Sequence, residues 1–446
     1  MKFNKLAIAA AVCSSLATPV YAGSELETLL MLLHENGTIS NEQYQRVLSE
    51  AKANQQTVLD EKKEMQSALD QATKVELNVG KGGLRMKDRE GNFAMKIGGR
   101  LQVDSAWYGE DTDAPGSQLG DGTEARRARI YVQGKMYKDW GYKLQYDFTG
   151  TGNKGIKDAY LTYTGLEDIE LKAGNFKDPF MLQEQTSSKH ITFTERSLPD
   201  AFSAGRHIGL MASTKHQHWT AAAALFGDSV STASQSEDEG WGAAGRLTYA
   251  PINEKGRVLH VGLASNYRTA SANDSVQFKQ QAETHVSGVS IVDTGSIANV
   301  DSTLKTGLEL AAVAGPFSTQ IEYIRTDVER TGTDLAFDGW YAEAAYFLTG
   351  ETRTYKKGKF AGIKPNRHFG ENGMGAWQLA ARYSTINLND GDIDGGEADS
   401  ITLGVNWFPN PVLRFSANYV QVLDIKGGAH NNEEPSAFQL RGQWAF

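Results

Sequence analysis

From about residue 93 to the end of the chain, apolar and polar side chains alternate with a period of two, the signature of half-buried strands. In the segment 95–107, Met95, Ile97, Leu101, Val103 and Trp107 fall on one face, and Lys96, Arg100, Gln102 and Asp104 on the other. The next segment sets Ala128, Ile130, Val132 and Met136 against Arg127, Arg129, Tyr131, Gln133 and Lys135. Trp140, Tyr142, Leu144, Tyr146 and Phe148 then oppose Lys143, Gln145 and Asp147. Similar stretches lie near 157–163, 169–176, 206–213, 218–226, 241–249, 258–268, 304–313, 317–325, 340–348, 376–383, 400–407, 412–421 and 437–446. The pattern predicts about 16 strands, an even number.

Two features point to a membrane barrel rather than a soluble sandwich. The apolar face ends repeatedly in an aromatic residue (Trp107, Trp140, Tyr163, Tyr249, Tyr267, Tyr383, Trp407, Tyr419), as interfacial girdles require. Connections alternate in length: Tyr137-Lys138-Asp139 and Asn410-Pro411 are tight, whereas 108–125, 269–300, 349–375 and 422–436 are long and polar. Short periplasmic turns opposite long outer loops give that alternation. The expected fold is all-β, a 16-stranded antiparallel transmembrane β-barrel, preceded by a helical periplasmic arm.

The arm is the part that breaks the pattern. Residues 24–73 are rich in Glu, Gln, Lys, Leu and Ala, and Leu26, Leu29, Leu30 and Leu33 recur at helical spacing. Gly37-Thr38-Ile39 reads as a break. Ser40-Asn41-Glu42-Gln43 resembles a capping box opening a second helix over about 41–72. Its apolar stripe (Tyr44, Val47, Leu48, Ala51, Val58, Met65, Leu69) is sparse for a lone helix, and two readings stand: a self-associating coiled coil, or a solvated helix with no partner. Ahead of it, Lys2 and Lys5, the apolar run Leu6–Leu16 and Val20-Tyr21-Ala22 form a secretory signal peptide cut after Ala22. The expected organisation is a signal peptide over 1–22, an arm over 23–75 and a barrel over 76–446.

Composition changes this picture in two places. The single cysteine, Cys13, falls in the leader, so no disulfide holds the mature chain. The formal net charge is −9, and removing the leader's two lysines makes it −11. Distribution matters more than the total. If the apolar face meets lipid, the opposite face carries Lys96, Arg100, Arg127, Arg129, Lys135, Lys143, Lys172, Arg246, Arg268, Lys305, Arg382, Arg414 and Arg441. The acids there are fewer: Asp104, Asp147, Asp158, Glu170, Glu309, Glu322 and Glu343. Much of the remaining acid lies in loops and in the arm. Rings of Arg and Lys select anions in pores, and Arg donates bidentate hydrogen bonds to oxyanions. The plainer reading of the same residues is mutual pairing that merely solvates a lumen.

The stretch between the fifth and sixth strands, 177–205, is long and rich in hydroxyls, with Lys189 near its middle. Folded inward, it would narrow the barrel and offer donors to a dehydrating anion; folded outward, it is an ordinary surface loop.

In order, the chain carries Ile97-Gly98-Gly99-Arg100-Leu101-Gln102-Val103-Asp104, Ala125-Arg126-Arg127-Ala128-Arg129-Ile130, Tyr142-Lys143-Leu144-Gln145-Tyr146-Asp147-Phe148 and Ile156-Lys157-Asp158-Ala159-Tyr160-Leu161. Gly174-Asn175-Phe176-Lys177-Asp178-Pro179-Phe180 and Thr186-Ser187-Ser188 to Glu195-Arg196-Ser197-Leu198-Pro199 follow. This set resembles the phosphate- and polyphosphate-selective porins of Gram-negative outer membranes, over most of residues 75–446. The terminal Phe446 also resembles the assembly signal of outer-membrane proteins. The resemblance implies a homotrimeric 16-stranded barrel in the outer membrane, with the third outer loop folded inward and a passive path for phosphate or related oxyanions. It further implies a ladder of arginines leading to a constriction. By motif position the ladder candidates are Arg100, Arg126 and Arg127, the constriction lysine is Lys189 and its acidic partner is Asp158; Arg129 and Arg206 complete the candidate anion-binding set. Strict alternation places Arg126 on the face opposite Arg127 and Arg129, so a bulge must turn it inward or it sits at the rim.

The alternative within the same fold is a general diffusion porin for small polar solutes. A barrel enzyme finds no support, since no Gly-x-Ser-x-Gly spacing accompanies the scattered histidines. An envelope tether using the arm as a stalk is a third class. No cofactor is expected, and His216-Gln217-His218 has no acidic or cysteine partner at metal-ligand spacing.

Overall fold

In the computed structural model, residues 22–72, 75–80, 83–109, 118–232, 238–270 and 275–446 are described. The expected signal peptide falls outside them, apart from Ala22. The chain divides into two units, residues 1–76 and 77–446, each taken by itself.

Among the described residues the first unit holds two helices, α1 (Ala22–Glu35) and α2 (Asn41–Ala72). The capping box is formed in both directions: the Gln43 N–H donates to Ser40 Oγ at 3.2 Å and the Ser40 N–H to Gln43 Oε1 at 2.9 Å. The two helices meet through His34 against Tyr44 and Lys52 against Glu27. Beyond that, Val58 and Met65 are exposed.

The second unit is a closed antiparallel barrel of 16 long strands. They are β1 (Ala94–Gly109), β2 (Gly122–Met136), β3 (Trp140–Asp147), β4 (Ile156–Leu166), β5 (Ile169–Lys177), β6 (Arg206–Lys215), β7 (Trp219–Phe226) and β8 (Gly242–Glu254). There follow β9 (Arg257–Thr269), β10 (Val300–Ala314), β11 (Phe317–Arg330), β12 (Leu335–Phe347), β13 (Ala376–Asp390), β14 (Ile393–Asn410), β15 (Leu413–Lys426) and β16 (Ser436–Ala445). Each pairs with its sequence neighbour, and β16 closes on β1 from Ser436↔Gly109 to Ala445↔Arg100. Phe446 extends the seam: its N–H donates to Gly99 O at 3.1 Å and its carbonyl accepts from the Gly99 N–H at 3.0 Å. Closure is what the hydrocarbon demands, since no water is there to satisfy a free strand edge.

The outward face carries the expected Leu, Val, Ile and aromatic residues. Trp140–Tyr163 and the Trp377, Trp407, Phe415 stack mark one girdle; Trp107–Phe438 and Trp241–Tyr267 mark the other. The inward face is not uniformly polar. Toward the loop end of β11 to β15, Val328, Leu335, Phe337, Ile386, Leu388, Val422 and Ile425 point inward and are buried. They pack under two inward-folded segments, 178–205 and 275–299, through Phe180, Leu198, Phe202, Phe278, Ile291 and Ile297. One side of the barrel is therefore filled by these segments.

Two sequence expectations need correction. Segment 275–299 is not merely an outer loop but part of the filling, with a small hairpin at Lys279–Gln280 and Val292–Asp293. Segment 348–375, expected as a long outer loop, joins β12 to β13 at the short-turn end. The connections of 331–334 and 391–392 at the loop end are the short ones there, so length alone misassigned the end.

The Gly98-Gly99 pair is required by close approach. A Cβ at Gly99 would lie 2.6 Å from Arg129 O and 2.9 Å from the Phe446 ring. Gly99→Val should therefore destabilise the barrel seam by about 1–3 kcal/mol, read as a lower temperature for loss of the compact, fast-migrating form on gel electrophoresis. An unchanged transition would show that the seam can shift to admit a side chain.

Candidate anion-binding site

The site is built around segment 178–205, which the barrel wall pins mainly by its backbone. A one-turn helix (Leu182–Gln185) donates its first N–H groups, those of Leu182 and Gln183, to the Glu322 carboxylate, each at 2.7 Å. Glu184 accepts from the N–H groups of Ala204 and Gly205, both at 3.0 Å, tying the segment's two ends. Arg414 donates to Ile191 O at 2.6 Å and to Thr192 O, Arg382 to Glu195 O at 3.1 Å, and Arg441 to Thr194 O. Thr192 donates to Glu343 at 2.9 Å. Apolar anchors do the rest: Phe180, Leu182, Phe193, Leu198 and Phe202 are all buried. Three of the expected lumenal arginines thus hold the loop.

Where the loop reaches β1, Arg100 donates to Ser188 Oγ at 2.7 Å and to Ser187 Oγ at 3.2 Å. The Lys189 ammonium lies beside them, 6.0 Å from the centre of the Tyr131 ring. Lys96 and Lys143 lie over the same ring at 5.5 and 5.7 Å. Among the described residues no carboxylate comes within ion-pair distance of Lys189. Burial, reinforced by the charges of Arg100, Lys96 and Lys143, pushes the Lys189 ammonium down to about 8.

Next to this constriction is a cavity of about 250 Å³. Nine basic side chains line it, among them Arg100, Lys143, Lys172, Arg206, Lys215 and Lys359, against one acid, Asp158. Lys357 and Lys359 arrive from the turn end, on a hairpin (Tyr355–Lys356 with Lys359–Phe360) of segment 348–375. Gly358, at φ 73°, makes its turn. Arg246 donates to Gly358 O at 2.8 Å and bidentately to Glu309 at 2.7 and 2.6 Å. His260 bridges Glu309 at 3.0 Å and the Tyr355 hydroxyl at 2.7 Å. Burial and the charges of Arg246, Lys215 and Lys143 bring Lys359 to about 8 as well.

The sequence-derived candidates divide into groups. Arg100 and Lys189 meet at the constriction. Asp158 faces the cavity but pairs with Lys143 at 2.5 Å and Arg206 at 2.9 Å, not with Lys189 as the resemblance implied. Arg129 is held by Asp147 at 2.6 Å. Arg126 does turn inward. The β1–β2 register passes from Gln102↔Arg127 to Val103↔Ala125, so Arg126 is the extra residue of a bulge. It donates two hydrogen bonds to Glu195, at 2.9 and 3.1 Å. Arg127 lies 3.5 Å from Glu195 and donates to Gln102 at 3.1 Å.

The sequence reading did not single out Glu195, Tyr131 or the hairpin lysines. The run Lys356-Lys357-Gly358-Lys359 was a legible signal; the convergence of arginines on Glu195 was not, because it depends on the loop's path.

The phosphate-selective porin O and P family matches residues 95–446. Porin O of Pseudomonas aeruginosa is 32% identical over 411 residues, covering 82% of this chain and 91% of that protein. An uncharacterized protein of Caulobacter vibrioides is 32% identical over 350 residues, 76% of this chain and 70% of its own. Among solved structures, OmpT, an outer membrane protein of Vibrio cholerae, matches with a TM-score of 0.52 at 9% identity, over 80% of this chain and 98% of its own. The outer membrane channel DcaP of Acinetobacter baumannii matches at 0.50 and 12% identity, over 82% of this chain and 100% of its own. These structural likenesses confirm the barrel fold. With the family matched along nearly the whole barrel, and the lumen arranged as described, this chain is a member of the phosphate-selective porin O and P family, an anion-selective porin of the Gram-negative outer membrane.

Proposed function

We propose that phosphate and related oxyanions cross this barrel passively, through the gap between segment 178–205 and strands β1 to β8, and are selected at Arg100, Ser187, Ser188 and Lys189. The observation that carries this reading is the balance of charge: nine basic side chains against one acid in the cavity, next to a lysine without an acidic partner. An oxyanion presents several acceptor oxygens, and the guanidinium, two hydroxyls and ammonium offer donors that replace its water shell. A cation meets the same field as a barrier. Arg126 and Arg127 line the approach from the loop end, Arg129 lies level with Arg100, and Arg206 with Asp158 shapes the cavity wall. A general diffusion porin needs no such excess.

We further propose that the protein is a lipid-embedded homotrimer whose arms associate, with the leader over 1–22, the arm over 23–75 and the barrel over 76–446. Tyr44, Ala51, Val58 and Met65 recur at seven-residue intervals, the spacing of a left-handed supercoil rather than of a helix lying on a globular surface.

In planar bilayers, phosphate should block chloride current through the wild type. Lys189→Glu should raise the half-blocking concentration at least about tenfold, a change of about 1.4 kcal/mol; equal block in both would remove Lys189 from the site. Because burial among other cations lowers both the Lys189 and the Lys359 ammonium to about 8, preference for chloride over potassium should fall as pH rises from 7 to 9. Lys189→Arg, charged throughout, should lessen that fall and leave the part due to Lys359, which Lys189→Arg with Lys359→Arg should flatten; reversal potentials that do not move with pH in the wild type would contradict it. For the arm, Val58→Cys in the full chain should give an interchain disulfide on mild oxidation and Ser67→Cys, two places past the stripe's Met65, should not; equal yields would argue against a supercoil.

A further inference from the structure

Three arginines from two strands, Arg126 and Arg127 of β2 and Arg441 of β16, converge on one loop carboxylate. Glu195 accepts from Arg126 at 2.9 and 3.1 Å and from Arg441 at 2.7 Å, with Arg127 at 3.5 Å. Asp104 accepts from Arg441 at 2.7 and 2.5 Å. The group lies on the loop-end side of the Arg100 constriction: in the β1–β2 ladder Arg100 faces Arg129, and Gln102 one step on faces Arg127. It is not sealed from the lumen, since the side chains of Arg126 and Glu195 keep 19% and 13% of their surface exposed.

We propose that Glu195 is a specificity-determining residue: a tethered anion that holds the arginine forks in place of the permeating one and so sets how tightly the outer part of the path binds phosphate. This rests on the anion-channel reading. Its carboxylate presents two oxygens to guanidiniums, as a phosphate does. An arriving oxyanion shares or displaces those hydrogen bonds instead of meeting bare cations, and leaves as the carboxylate returns. With Asp104 and Glu195 both ionised, the three arginines carry a net charge of +1; without Glu195 they carry +2. The loop does not depend on that carboxylate for its place. Arg414, Arg382 and Arg441 hold the carbonyls of Ile191, Thr192, Thr194 and Glu195 itself, and Glu322 and Glu184 hold its backbone N–H groups.

The test compares wild type, Glu195→Gln and Glu195→Asp in planar bilayers, with inorganic phosphate titrated against chloride current. Glu195→Gln keeps the shape and one acceptor oxygen and loses the charge. Its half-blocking phosphate concentration should fall about tenfold, with chloride conductance before phosphate within about twofold of wild type. Glu195→Asp keeps the charge and should stay near wild type. Unchanged or weaker block in Glu195→Gln overturns the proposal, as does tighter block in both variants, which would make reach rather than charge the cause. Raised chloride conductance in both would report a displaced loop and likewise overturns it. A wild type that phosphate fails to block at all sinks the anion-channel reading itself.

Discussion

The pore of this protein exists because arginines on the wall grip a loop by its backbone. A barrel of 16 strands encloses far more space than one small anion needs. Segment 178–205 takes up that space only while its carbonyls, which have left water, find donors inside the lumen. Arg382, Arg414 and Arg441 supply them. Charged donors make hydrogen bonds roughly twice as strong as neutral ones. The same guanidiniums that give the wall its positive sign are therefore structural first, and the anion path is what they leave open.

This division of labour resolves the apparent conflict between a net charge of −9 and an anion channel. Lumenal acids are present, but they are engaged: Glu322 caps the loop's helical turn, Glu309 holds Arg246 and His260, Glu343 meets Arg353 and Thr192. Glu283, on the second inward segment, pairs with Arg382 and accepts from Ser384. What remains without a carboxylate is basic and collects on one side, at Arg100, Lys189 and the hairpin lysines.

Much of this was legible in the sequence because lipid imposes a rule on every second residue. All 16 strands stood out as alternation, and the bulge at Arg126 was foreshadowed by a basic residue out of phase. The loop ends of β11 to β15 hid more. In Val420-Gln421-Val422-Leu423-Asp424-Ile425 both faces carry apolar residues, because Val422 and Ile425 pack against lumenal filling rather than water. Alternation fades there, and with it the clue that 275–299 turns inward. The end to which 348–375 belongs was likewise masked, since the hairpin connections of 331–334 and 391–392 are short for their own reasons. Pairings such as Arg441 with Asp104 span more than three hundred residues and obey no local spacing.

The order of charges along the path has an electrical consequence. At the loop end the arginines are compensated by Glu195 and Asp104; toward the turn end Lys143, Lys172, Lys215, Lys357 and Lys359 meet two carboxylates, Asp158 beside Lys143 and Glu170 beside Lys172 and Lys215. Fixed charge thus steps from nearly neutral to strongly positive across the constriction. A conduit graded in this way acts as an ionic diode: counter-ions accumulate under one polarity of voltage and are depleted under the other, so equal and opposite potentials drive unequal currents.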